Sequence, residues 1–123
     1  MYDQVWFDSA TEREMANLID DTSQVDIWVR LHLKDLEIRY DGGSYNPDFL
    51  AAGNGQRWVI ETKADRDLQT ENVRAKRQAA QRWANHVSAD ERVSDHWNYL
   101  LIGETDLRQA RGDWHALVGA AGL

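Results

Sequence analysis

The chain has 123 residues, 42% of them hydrophobic, with six Trp and four Tyr, enough to bury a core in one domain spanning 1–123. It has no cysteine, which excludes disulfides, Cys-ligated zinc and thiol nucleophiles. Its net charge of −7 speaks against the broad basic surface of a non-specific nucleic-acid binder.

No apolar run approaches the ~20 residues of a membrane span. The start, Met1-Tyr2-Asp3-Gln4, lacks the basic head of a signal peptide, so a cytoplasmic protein is expected. Val5-Trp6-Phe7 is a short apolar lead-in. Ser9-Ala10-Thr11-Glu12 fits a capping box, and the pattern predicts a helix over about 9–21. Met15, Ala16 and Ile19 follow Glu12 at helical spacing, which puts Glu12 on the apolar stripe. It is either a capping carboxylate or one aimed at the core. Runs 25–31 and 36–40 read as strands, and Asp41-Gly42-Gly43-Ser44 as a loop.

The stretch from Tyr45 to Lys63 reads as a β-hairpin. Asn54-Gly55 is the strongest two-residue turn signal, because both positions need φ > 0. That turn pairs Gly53 with Gln56 and Leu50 with Val59, and sets Asp48 opposite Glu61. By strand alternation Asn46, Asp48, Leu50, Val59, Glu61 and Lys63 share one face, and Pro47, Phe49, Ala51, Trp58, Ile60 and Thr62 the other. Carboxylates so placed have Cβ atoms roughly 4.5–5.5 Å apart and repel. A divalent cation between them would resolve the conflict. Pro47, the chain's one proline, implies a strand start, an edge or a bulge.

Thr70 can cap a helix running to about Val87. Asn72, Lys76, Ala79 and Trp83 form one stripe of it, so Lys76 is either a snorkelling stem or a cation delivered to an active face. Trp97 to Gly103 is nearly continuously apolar, as for a strand buried on both faces and pairing in parallel. Short helices are expected over 105–111 and 113–121. The order α-β-β-β-β-α-β-α predicts a mixed central sheet with helices on both faces. Charge is uneven along it: residues 1–26 hold seven acids and one base, whereas residues 63–82 hold six bases and three acids.

Pro47-Asp48, twelve intervening residues, then Glu61-Thr62-Lys63, resembles the PD-(D/E)XK nuclease signature. The element order is similar to that superfamily's αβββαβ core. Ser9-x-x-Glu12, Trp28-Val29-Arg30, Tyr45-Asn46-Pro47-Asp48-Phe49, Trp58 to Lys63, and Asn72-Val73-x-x-Lys76-Arg77-x-Ala79-Ala80-x-x-Trp83 together resemble the C-terminal endonuclease domain of type III restriction subunits and related helicase-linked restriction proteins, over about 6–103. The resemblance implies a metal-dependent DNA endonuclease with a restriction-endonuclease-like α/β fold. It assigns Asp48, Glu61, the Thr62 carbonyl and Glu12 to Mg²⁺ or Mn²⁺. Lys63 would activate water, and Asn72, Lys76, Arg77, Arg30 and Tyr45 would support the site or touch phosphate. It further implies a role in restriction or phage defence, a tethered or separate helicase or targeting module, and a possible homodimer.

Hard oxygen ligands suit Mg²⁺ or Mn²⁺, and phosphodiester hydrolysis needs the charge neutralisation they bring. His32, His86, His96 and His115 show no metal-binding spacing, no serine sits in a Gly-x-Ser-x-Gly elbow, and no phosphate-binding GxxxxGK[ST] loop occurs. Asp35 and Glu37 share a strand face but lack a following lysine. Two other functions fit the composition: a catalytically silent nucleic-acid-binding or scaffold module of the same fold, and a small acidic protein-binding module.

Overall fold

A computed structural model describes residues 10–32, 35–40 and 43–121. The lead-in Val5-Trp6-Phe7 and the capping residue Ser9 lie outside them. Helix α1 spans Ala10–Asp21, followed by strands β1 (Ile27–Arg30), β2 (Ile38–Tyr40), β3 (Gly43–Tyr45), β4 (Phe49–Gly53) and β5 (Gln56–Lys63). A 3-10 turn at Asp65–Asp67 leads to α2 (Glu71–Ala89), β6 (His96–Gly103), α3 (Glu104–Ala110) and α4 (Trp114–Ala120).

Asn54 and Gly55 take φ of 54° and 75°, the turn the sequence predicts, and the hairpin closes in the expected register: Gly53 pairs with Gln56, Leu50 with Val59 and Phe49 with Ile60. Gly53 also admits a close neighbour. A Cβ there would lie 2.2 Å from the Gln24 carbonyl oxygen. On the far side of β5, β6 pairs in parallel, which needs the long α2 crossover that precedes it. Thr70 caps α2 as expected, accepting from the Val73 N–H at 3.3 Å.

The main sheet has the order β1-β4-β5-β6, and β2 is not in it. The four consecutive strands that the order α-β-β-β-β-α-β-α places before the long helix therefore do not all join one sheet. β1 pairs antiparallel with β4, and β2 pairs instead with Gly43–Tyr45, whose Gly43 and Ser44 the sequence presents as loop and whose Tyr45 it presents as the start of the hairpin. Gly43 enters that strand with φ of 136°, which glycine tolerates. The αβββαβ core is thus α1-β1-β4-β5-α2-β6, with β2 and β3 as an inserted two-stranded ribbon. This is the restriction-endonuclease-like α/β arrangement.

Strand alternation sorts the core into two layers. Phe49, Ala51, Trp58, Ile60, Leu100 and Ile102 pack against α1, α3 and α4 through Met15, Ile19, Leu107, Trp114 and Leu117. Val59 and Tyr99 face the other way, against Ala79, Ala80 and Ala84 of α2 and against Ile38 and Tyr45 of the ribbon. The alanines let α2 lie close to the sheet. Cover on both faces explains the near-continuous apolar run of β6, although it is an edge strand.

Candidate active site

The site forms where β4 begins and β5 ends. The ladder between them stops at Phe49–Ile60, so Asp48 is not a regular partner of Glu61. Its N–H donates to the Ile60 carbonyl at 3.0 Å, and its carbonyl accepts from Leu31 at 2.8 Å. The side chain takes over the next rung. Asp48 Oδ2 accepts from the Thr62 N–H at 2.8 Å and from Thr62 Oγ1 at 2.9 Å. Simple alternation put Thr62 on the opposite face from Asp48. Departure from the ladder at Asp48 brings the two together, and both bonds fix one carboxylate oxygen.

Glu61 is 5% exposed. Burial, then the Asp48 charge and a hydrogen bond with Asp48, push its carboxyl up to about 9, against an opposing pull from Lys63 and Lys76. The two carboxyls therefore lie close together, although Asp48 stands outside the regular ladder. Lys63 Nζ lies 3.7 Å from Glu61 Oε1 and is part-exposed. The segment after Lys63 is anchored too: Asp65 accepts from the Thr105 N–H at 3.1 Å and from its hydroxyl, while Glu104 accepts from the Asp65 N–H at 3.0 Å.

Lys76 approaches from α2. Its Nζ lies 5.6 Å from the Tyr40 ring centroid and 5.4 Å from that of Tyr45. The two rings meet edge-on at 6.1 Å. Tyr45 donates to the Lys76 carbonyl at 3.4 Å and shares a hydrogen bond with Tyr99, and burial holds both phenols well above their ordinary range. The ribbon thus seats Lys76 against two rings that attract its cation, and that charge bears on Glu61. Tyr40 and Tyr99 are absent from the residues the sequence singles out. The alternation Leu36-Ile38-Tyr40 carries the signal for Tyr40, but its target lies on a distant helix.

The remaining expected residues lie as follows. Glu12 is 7% exposed and accepts from Arg30 Nη2 at 2.8 Å, so these two form a buried ion pair. Among the described residues no three Asp, Glu or His side chains gather as metal ligands do. Asn72 and Arg77 are exposed on α2. Thr62 meets Asp48 as a donor through its N–H and hydroxyl.

A family model described as an endonuclease domain matches residues 1–95. The chain belongs to this endonuclease-domain family. The match takes in α1, both sheets up to β5, and α2, including every residue of the site just described except Tyr99, Glu104 and Thr105. β6, α3 and α4 follow it, and their Leu100, Leu107 and Leu117 complete the core under the endonuclease hairpin. No curated protein and no solved structure matches the chain. The family makes the chain a nuclease domain, for which DNA is the substrate expected. Among the described residues no helix is long and apolar enough to cross a membrane.

Proposed function

We propose that the chain hydrolyses DNA phosphodiester bonds with a divalent cation held by Asp48 and Glu61. The observation that carries this reading is the meeting of Asp48, Glu61 and Lys63 at one end of β4 and β5, with Lys63 Nζ 3.7 Å from Glu61. The donor set fits Mg²⁺ or Mn²⁺. It consists of hard carboxylate oxygens, one carboxylate is oriented by two hydrogen bonds, and the mutual repulsion is of the kind a cation relieves. A bound cation would polarise the phosphoryl oxygen and acidify a water. The Thr62 N–H and hydroxyl hold Asp48 in its ligating orientation. Lys63 orients the attacking water and offsets phosphate charge as a compact cation. Lys76, seated on Tyr40 and Tyr45, adds a second positive charge. Glu12 and Arg30 brace each other beneath this end of the sheet, so the proposed ligand set is Asp48 and Glu61, with Glu12 outside it.

The wider setting we infer is the cleavage domain of a restriction or defence system. The net charge of −7 leaves targeting to a tethered or separate module of helicase type, or to a second copy. Supercoiled plasmid incubated with Mg²⁺ tests the activity. The wild type nicks it, and Lys63→Ala and Glu61→Ala do not, while both variants keep the wild-type circular dichroism. Undiminished cleavage by both variants sinks the assignment. DNA binding without cleavage by the wild type points to a silent binding module of the same fold.

A further inference from the structure

The α2 stripe that carries Lys76 to the acid pair does not stop there. Ala79, Trp83 and His86 continue it at helical spacing, about 15 Å of helix from Lys76 to His86. The ribbon runs alongside in the matching sense, with Tyr40 at the Lys76 end and Ile38 packed with Ala79 in one cluster. Between them lies an open groove of about 450 Å³. Ile38 and Ala79 are its buried lining, Trp83 is half-buried in it, and Arg39, Arg82 and His86 stand exposed around it with Glu37.

The charge of this groove runs against that of the chain. It holds two guanidinium groups and one carboxylate in a protein of net charge −7. Neither arginine forms an ion pair among the described residues, whereas Arg30, Arg57 and Arg92 each bond an acid. Arg82 also belongs to the basic strip over 63–82, of which the acid pair uses only Lys63 and Lys76. Exposed arginines around an aromatic, in a groove that leads away from a phosphodiester site, are the parts of a single-strand platform: cations track the backbone and the ring takes a base.

We propose that the β2–α2 groove binds a single DNA strand continuous with the one at Asp48, Glu61 and Lys63. Arg39 and Arg82 take backbone phosphates, and Trp83 takes a base. The assignment rests on the DNA-cleaving reading and extends it by naming where the strand lies beyond the cleaved bond.

Fluorescence anisotropy of labelled dT20 in EDTA, at graded NaCl, tests it. The double variant Arg39→Ala/Arg82→Ala removes exposed side chains and leaves the core intact. It is expected to weaken binding about tenfold near 0.1 M salt. It should also flatten the slope of log affinity against log salt by ~1.4, at about 0.7 per phosphate contact on a single strand. Unchanged affinity and slope overturn the groove. So does a wild type that fails to bind dT20, or that prefers a 20-bp duplex. Cleavage plays no part in EDTA, so the two readings fail separately. A chain that binds dT20 through these arginines but never nicks plasmid keeps the groove and loses the nuclease. One that nicks plasmid while its binding ignores them does the reverse.

Discussion

Replacing Glu61 by Gln should make the protein more resistant to rising pH. Glu61 is buried beside Asp48, and its carboxyl is raised from an ordinary value of 4.5 to about 9. A group raised in the folded state stabilises the fold fully below its unfolded value and loses that contribution as pH rises towards the folded value. Across that window the folded chain holds a proton that the unfolded chain has released, at about 1.4 kcal/mol per pH unit. Between pH 5 and pH 7.5 this comes to about 3 kcal/mol of stability lost by the wild type and kept by Glu61→Gln. The contact with Lys63 that the variant also weakens is part-exposed and worth about 1 kcal/mol or less. Urea unfolding of both proteins across pH 5 to 8 measures the difference, in which titrating groups remote from Glu61 cancel. The variant's advantage should grow steadily with pH, and saturating Mn²⁺ should then stabilise the wild type alone. A difference that stays flat across the range refutes the claim that Glu61 is a buried acid facing Asp48.

Further outcomes follow from the same geometry. Tyr40→Leu takes one ring from Lys76 Nζ and should lower kcat for plasmid nicking about tenfold with KM little changed, whereas Tyr40→Phe keeps the ring and the rate. Glu12→Ala removes a carboxylate that Arg30 Nη2 bonds at 2.8 Å in a buried setting, and thermal or urea unfolding should show a loss of about 3 kcal/mol. Gly53→Ala sets a Cβ 2.2 Å from the Gln24 carbonyl oxygen, so the backbone must move. A loss of about 1–3 kcal/mol is expected in the same assay.

What the sequence makes legible is local. Asn54-Gly55 dictates a turn type, the turn dictates a register, and the register brings Asp48 towards Glu61 before any tertiary contact is known. Thr70 marks the start of α2, and the apolar run of β6 announces a doubly covered strand. What stays hidden depends on contacts far apart in the chain. β3 reads as loop because Gly43-Ser44 has no strand propensity of its own; pairing with β2 and the burial of Tyr45 against α2 hold it there. The Tyr40–Lys76 contact spans a ribbon and a helix, and the Glu12–Arg30 pair joins residues 18 apart in different elements. Thr62 is the subtlest case. Period-2 alternation turns it away from Asp48, and only the end of the ladder before Asp48 lets its N–H and hydroxyl bind that carboxylate.

The most direct test is Mn²⁺ binding followed by electron paramagnetic resonance in the wild type, Asp48→Asn, Glu61→Gln and Lys63→Ala. The carboxylates are proposed to hold the cation jointly, with Lys63 acting beside them on water and phosphate. The wild type and Lys63→Ala should therefore bind Mn²⁺ alike, and each carboxylate variant should lose it by tenfold or more, as removal of an essential ligand does. Equal Mn²⁺ binding by Asp48→Asn, Glu61→Gln and the wild type would contradict a metal centre at this hairpin.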